Sequence, residues 1–387
     1  MGRIDCLVAG AGPAGMAAAI TLARAGASVV VVEKKGQAGG KACGGGLTPR
    51  AVRLVHRLNL KANLGCPVFC LEGNAPPHHY NCFTLKKPAL SIVRRALFDQ
   101  SLRDTALSLG VDFIFGTICG AYRDGRAFTL KTHCGKVLAA PFLIAADGAA
   151  SRVRRSFGGT IRCQALAMMA DGLDNPRRTP CILFDGGMAP SGYGWVFPYG
   201  DGRANAGVYS VAAVSGVQMR RALATYLKKR MTTDNPGAIT GGAIPWGGYL
   251  LPKEVPLLLA GDAGGFADPM TGEGIYHALY TGHAAARAVT GASPENARIS
   301  YEKSLKPLFA NMALLRLICE RAYHYPRQGG RILGLKAVHG PITEGLIRGL
   351  NTSAVMAAYP ALLLLSLTNS SLVQFERRAG IPLDTGG

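Results

Sequence analysis

The chain has 387 residues, 48% of them hydrophobic and 17% charged, with a formal charge of +20 at pH 7. This balance excludes a disordered or fibrous chain and leaves enough apolar sequence for one large core or two moderate ones. The basic excess comes with no basic stripe interleaved with aromatics and no zinc-finger or RNA-recognition signature, so no nucleic acid partner is expected; an anionic membrane face, an acidic redox partner or a phosphorylated substrate fits it.

Residues 4–9 form a short apolar, β-prone run. Gly10-Ala11-Gly12-Pro13-Ala14-Gly15 follows, then an Ala-rich stretch to Ala25, and a second apolar run of four valines ending at Glu33. The order strand, glycine turn, helix, strand with an acidic end is the sequence form of a dinucleotide-binding βαβ unit. Gly10 permits the tight turn, Gly12 lets the backbone approach a pyrophosphate, and Gly15 lets the helix pack closely on the strand. The helix start offers free N–H groups to phosphate, and Glu33 can accept hydrogen bonds from a ribose diol. Because the first apolar run is itself the first strand, no signal peptide is expected. Ten cysteines at irregular spacings predict a reducing, cytoplasmic setting rather than a disulfide framework.

After the polar turn 34–40 comes Lys41-Ala42-Cys43-Gly44-Gly45-Gly46-Leu47. Three consecutive glycines leave backbone N–H groups free beside something bulky and flat, with Cys43 as the reactive side chain at that approach; the alternative is a flexible loop with an incidental cysteine. Thr48 is placed as the N-cap of a helix running through Leu58, with Pro49 at its first position. Cys66, Cys70, His78, His79 and Cys82 cluster, but their spacing is not that of a zinc finger and Pro76-Pro77 interrupts them, so a loop-rich part of a small sheet is expected and no metal.

A helix is predicted from residue 93, with Leu97, Leu102, Ala106 and Leu109 near one face and Gly110 at its end. Arg95 at its start either points to a phosphate or stays a solvated charge. Residues 121–140 alternate as hairpins turning at Asp124-Gly125 and Cys134-Gly135. The apolar run 142–146 delivers Asp147 and a short basic helix to the carboxyl end of a parallel sheet, where ligands sit in open α/β folds. Strands dominate 165–210. Within them Tyr193, Trp195 and Phe197 alternate and so share one side of a strand, as core or as the wall of a pocket. Residues 220–230 read as an exposed helix.

A third buried strand, 257–260, leads to Gly261 and Asp262, and a Pro/Gly loop then enters a helix starting near Gly272, whose N-terminus could stabilise negative charge. The rest is mostly helical. Residues 349–375 carry no charge, and their apolar centre 354–367 is shorter than the ~20 residues a spanning helix needs. A buried or surface-lying helix pair is expected there.

The glycine triplet with Glu33, Ala146-Asp147-Gly148 and Gly261-Asp262, occurring in that order, resemble the FAD-binding proteins of the p-hydroxybenzoate-hydroxylase-like superfamily. Within it, Cys43-Gly44-Gly45-Gly46-Leu47, Tyr193-Gly194-Trp195-Val196-Phe197-Pro198 (the YxWxFP substrate motif) and Pro269-Met270-Thr271-Gly272-Glu273-Gly274-Ile275 are similar to the geranylgeranyl reductase family. Ala42 stands where many relatives carry proline.

The resemblance implies an α/β (α+β overall) fold: a Rossmann-like FAD-binding domain (1–50, 90–160 and 250–290), an interleaved antiparallel-sheet substrate domain (51–89 and 161–249) and a C-terminal helical region (291–387). It implies FAD held by Gly10, Gly12, Pro13, Ala14, Gly15, Glu33, Lys34, Cys43, Gly44, Gly45, Arg95, Asp147, Gly261, Asp262, Gly272, Gly274 and Ile275. Isoprenoid contacts are expected at Tyr193, Trp195 and Phe197, and Cys43 is the catalytic residue. The implied reaction is saturation of C=C bonds in an isoprenoid lipid by hydride from flavin plus a proton. No second GxGxxG unit is present, so electrons are expected from NADPH or from a reduced, acidic ferredoxin- or flavodoxin-type carrier. The protein is expected in the cytoplasm, with peripheral contact to the cytoplasmic membrane face. The rival readings are a flavin monooxygenase or halogenase acting on an aromatic, and a non-catalytic, membrane-docked electron-transfer flavoprotein.

Overall fold

The computed structural model describes residues 3–75, 79–177, 180–231, 233 and 236–324. Among them the helices are α1 (Pro13–Arg24), α2 (Pro49–Arg57), α3 (Arg95–Ser108), α4 (Arg152–Ser156), α5 (Gly216–Met231), α6 (Ile275–Val289) and α7 (Pro294–His324).

The first sheet has five parallel strands in the order Leu258–Leu259, Phe142–Ala145, Cys6–Ala9, Val29–Glu33, Asp112–Phe115. Parallel strands buried on both faces read as continuous apolar runs, which is the pattern of Cys6–Ala9 and the four valines. Alternate side chains enter two cores. Cys6, Val8 and Ile144 pack with α1, α3 and α6. Leu7, Ala9 and Leu143 pack against an antiparallel meander of Ile118–Asp124, Ala127–Thr132 and Val137–Ala140. Contact between α1 and α6 is very close: a Cβ on Gly282 would fall 2.0 Å from the Ala14 carbonyl oxygen.

The second sheet has seven strands, ordered Ile239–Leu250, Thr160–Asp174, Arg203–Ser210, Gly192–Pro198, Cys181–Gly186, Cys70–Ala75, His79–Thr84. All neighbours are antiparallel except Cys181–Gly186 with Cys70–Ala75. Helix α5 covers one face of it, burying Met219, Leu223, Tyr226 and Leu227 against Ala170, Ala204, Ala206 and Val208.

Several expectations need correction. The helix expected to be exposed around 220–230 is half-buried, because its cationic residues share turns with an apolar stripe at helical spacing. In α3 the buried face is Phe98, Leu102 and Ala106, at i, i+4 and i+8, whereas Leu97 is 52% and Leu109 38% exposed. Helix α6 begins at Ile275, three residues after Gly272, because Gly272 holds φ at +67° and cannot start a turn of right-handed helix. The cysteines are not all free: Cys70 and Cys181, facing one another on paired strands, form a disulfide. The described part of the C-terminal region is α7; the apolar run 354–367 and His78 lie outside the described residues. No helix of the described residues is long and apolar enough to cross a membrane.

Candidate active site

Three loops meet at the carboxyl ends of the parallel strands. In the first, Gly12 caps α1 in an extended conformation, Pro13 opens the helix, and no side chain caps it. The first N–H groups of a helix lack intrahelical partners, so this end presents donors and positive dipole. A Cβ on Gly12 would meet nothing within 4 Å, which leaves the donors open to an approaching ligand. Gly10 and Gly15 do different work. Gly10 has φ +96°, and a Cβ there would fall 2.4 Å from the Ala146 carbonyl oxygen; one on Gly15 would fall 1.9 Å from the Gly10 carbonyl oxygen. Ala14 lies buried inside the first turn.

Glu33 ends its strand with its carboxylate fixed against the glycine loop. Its Oε2 accepts from the Ala11 N–H at 2.7 Å and its Oε1 from the Lys35 N–H at 3.0 Å. Lys34 beside it is exposed. In the second loop, Asp147 Oδ2 accepts from the N–H groups of Arg152 (2.7 Å) and Val153 (3.1 Å), while Oδ1 is buried without a hydrogen-bond partner. Arg154 ties this loop to the third by donating to the carbonyls of Ala149 (3.1 Å) and Ala263 (2.7 Å).

In the third loop Gly261 sits at φ +58° and donates its N–H to Thr281 Oγ1 at 2.9 Å. The Asp262 carboxylate is ion-paired to Lys41, so it clamps the loop that carries Cys43. Gly274 caps α6 with no side-chain cap, and Ile275 is buried, giving a second open helix start.

Cys43 is half-buried in the 41–47 loop, with the Gly45 N–H 3.4 Å from its Sγ. Against a burial that would lower it, Asp99 and then the nearby Cys43 sulfur raise the Arg95 guanidinium above its usual value. Arg95 is buried, not solvated: Asp99 grips it through two hydrogen bonds, at 3.0 and 2.8 Å. Gly44 lies directly on the aromatic wall. A Cβ there would sit 2.9 Å from the Phe197 ring and 3.0 Å from Trp195 Nε1. The wall is continuous, with ring centroids of Tyr193 and Trp195, and of Trp195 and Phe197, each 6.2 Å apart. Phe184 and Tyr209 extend it, 5.4 and 5.2 Å from Tyr193. The phenols of Tyr193 and Tyr209 donate to the carbonyls of Thr271 and Pro269, pinning the wall to the third loop. Burial first, then the nearby Asp268 and Cys43, drive the Tyr193 phenol far upward, so it stays protonated.

Two groups of residues escaped the sequence reading. Asn205 accepts from Trp195 Nε1 at 2.8 Å and donates to the Gly44 carbonyl at 2.9 Å; its signal is a lone amide in a strand of small apolar residues. Behind the Cys43 loop, Glu273 accepts from Thr48 Oγ1 (2.9 Å) and Arg50 Nη2 (2.5 Å), and Arg50 lies 4.2 Å from the Tyr276 ring. His277 Nε2 is 3.3 Å from the same guanidinium. Against a burial that would raise it, the Arg50 guanidinium, with the Thr48 hydrogen bond, holds the Glu273 carboxyl below its usual range. Burial and Arg50 push His277 down to about 4, leaving it neutral.

A sequence model described as an FAD binding domain matches residues 3–175. Menaquinone reductase of Mycolicibacterium smegmatis is 33% identical over 314 residues, spanning 74% of this chain and 76% of that protein. Geranylgeranyl diphosphate reductase of Rhodobacter capsulatus is 27% identical over 360 residues, 86% of this chain and 88% of the other. The chain belongs to the geranylgeranyl reductase family of FAD-dependent oxidoreductases. Its fold matches that of a geranylgeranyl bacteriochlorophyll reductase-like protein from Thermoplasma acidophilum with a TM-score of 0.77 at 22% identity, covering 93% of this chain and 98% of that one.

The residues present fit FAD in this geranylgeranyl reductase family member. An uncapped helix start with open space over Gly12, a fixed carboxylate at Glu33 and the unpartnered buried Asp147 Oδ1 would offer such a group phosphate donors, a ribose acceptor and an unused acceptor on one sheet edge.

Proposed function

We propose that this enzyme saturates C=C bonds in the isoprenoid chain of a prenylated lipid, with Cys43 as the proton donor. The observation that carries the reading is the seating of the Cys43 loop on the aromatic wall, through Gly44 against Trp195 and Phe197. FAD, once reduced, supplies hydride. It would be held by Gly10, Gly12, Pro13, Ala14 and Gly15 at the start of α1 and by Glu33. Asp147, Gly261, Asp262, Gly272, Gly274 and Ile275 would flank it at the second and third loops.

An isolated alkene is unactivated, so the protein must exclude water and fix the chain before any proton moves. Tyr193, Trp195 and Phe197 form a continuous row of tilted apolar rings suited to line the path of an extended polyprenyl chain, and the Asn205 bridge holds the Cys43 loop against it. The Gly45 N–H steadies the sulfur that gives up its proton, and the buried Arg95 guanidinium, gripped by Asp99, is close enough to feel its charge. The net charge of +20 favours a small acidic electron carrier over NADPH, and suits an anionic membrane face from which a prenylated lipid would be drawn.

The test is mass spectrometry of geranylgeranyl diphosphate and menaquinone after incubation with dithionite-reduced, FAD-loaded protein. Products whose prenyl chain, separated from the head group by fragmentation, is heavier by steps of two hydrogens support the proposal. Unchanged prenyl chains across both head groups, or oxygen or halogen incorporated into an aromatic, overturn it.

A further inference from the structure

At the edge of the seven-stranded sheet, three cysteines lie on three adjacent strands. Cys70 and Cys181 face one another on Cys70–Ala75 and Cys181–Gly186 and are joined by a disulfide. Cys82, on the edge strand His79–Thr84, pairs with Glu72 and so lies diagonally from Cys70 on the same face. Its sulfur is 3.9 Å from that of Cys70, close to van der Waals contact, and it is a free, exposed thiol. Solvent access rises outward: Cys181 is 4% exposed, Cys70 half-buried and Cys82 exposed.

A second observation points the same way. Glu72 is buried; one carboxylate oxygen pairs with Arg177 at 2.5 Å, while Oε2 is buried without a hydrogen-bond partner. A Glu72 oxygen and the sulfurs of Cys70 and Cys181 lie within 4.8 Å of one another. A buried acceptor left unpaired is costly. The disulfide offers no proton to meet it, whereas a thiol at Cys181 would. The surroundings of the pair are therefore better satisfied when Cys181 is reduced.

We propose that Cys70, Cys82 and Cys181 form a thiol-exchange site that accepts electrons from an external dithiol, with Cys82 as its entry point. In the internal step the Cys82 thiolate attacks Cys70 Sγ. A Cys70–Cys82 bond forms as the Cys70–Cys181 bond breaks, and the electron pair stays on Cys181, which takes up a proton and donates the S–H to Glu72 Oε2. Nothing is oxidised or reduced overall; the disulfide moves from the buried pair to the edge strand. There one thiolate of the external dithiol attacks Cys82 Sγ and releases Cys70. Its second thiol then frees Cys82, so the dithiol loses two electrons and the protein gains them.

The experiment uses the FAD-loaded, full-length protein, acid-quenched and alkylated, with its disulfides mapped by mass spectrometry without reduction. Both Cys70–Cys181 and Cys70–Cys82 linkages are expected in the air-equilibrated protein. Reduced thioredoxin serves as the dithiol probe. Cys82→Ser should slow loss of the Cys70–Cys181 bond by about tenfold or more, and Glu72→Gln should lower the Cys70–Cys82 fraction. Cys82 is an exposed edge residue, and a circular-dichroism melt checks that the variant is folded. Exclusive Cys70–Cys181 linkage with wild-type reduction rate in Cys82→Ser overturns the proposal. So does finding all three thiols unlinked around one bound zinc. None of these readouts depends on prenyl turnover, so the site and the proposed reaction fail separately.

Discussion

The side-chain amide of Asn205 donates to the Gly44 carbonyl at 2.9 Å while its oxygen accepts from Trp195 Nε1 at 2.8 Å. One buried residue thus couples the thiol loop to the aromatic wall. Replacing it by alanine strands an indole N–H and a carbonyl, at a cost of about 1–3 kcal/mol each if they stay dry. Asn205→Ala should retain FAD and lower turnover by about tenfold, with a rise in KM for the prenyl substrate. Unchanged steady-state kinetics would show that the bridge does not position the loop.

Cys43 should separate chemistry from cofactor binding. Cys43→Ala is expected to leave the flavin spectrum intact and reduce turnover about 10²-fold, in the range of a lost general acid. Turnover by the FAD-loaded variant, measured per flavin, decides this; a rate within twofold of wild type removes Cys43 from the reaction.

The glycine triplet makes a sharper distinction. A Cβ on Gly12 meets only open space, whereas one on Gly15 would fall 1.9 Å from a backbone oxygen. Gly12→Ala should therefore fold and melt like the wild-type apoprotein yet bind FAD about tenfold or more weakly, because the methyl enters the space of the pyrophosphate. Gly15→Ala should be destabilised by several kcal/mol, as backbone cannot yield there. Equal FAD affinity in wild type and Gly12→Ala would contradict the cofactor placement.

His277 sets an acid limit on stability. Its folded-state value lies near 4 against the usual 6.5, so between those values the unfolded chain binds the extra proton and stability falls as pH falls. The buried imidazole contributes full stability above about pH 6.5 and loses roughly 3 kcal/mol on going down to about pH 4. Urea melts of wild type and His277→Asn across this window should show a flatter pH profile for the variant. Parallel profiles would mean that His277 does not titrate as its burial implies.

The glycine loop, the Glu33 strand end, the Thr48 cap and the meander turns were all legible in sequence, because each depends on local rules of φ, capping or alternation. Glu33 and Gly12 owe their positions to one βαβ unit of contiguous chain. What escaped depends on long-range pairing. Asn205 meets Gly44 across 161 residues, Arg50 meets Glu273 across 223, and Cys70 meets Cys181 across 111. No spacing rule connects such residues until the sheets are assembled. The misread face of α3 has a simpler cause: Leu97 and Leu102 are five apart, which is not a helical repeat.

In the proposed reaction an isoprenoid alkene, lying against Tyr193, Trp195 and Phe197, takes hydride from reduced FAD and a proton from Cys43. Anaerobic stopped-flow mixing of the reduced, FAD-loaded enzyme with a polyprenyl substrate tests it directly. Flavin reoxidation in the absence of oxygen, matched one for one by saturated C=C bonds in the lipid, is the predicted result. A flavin that stays reduced until oxygen is admitted, with the prenyl chain unaltered, would contradict it.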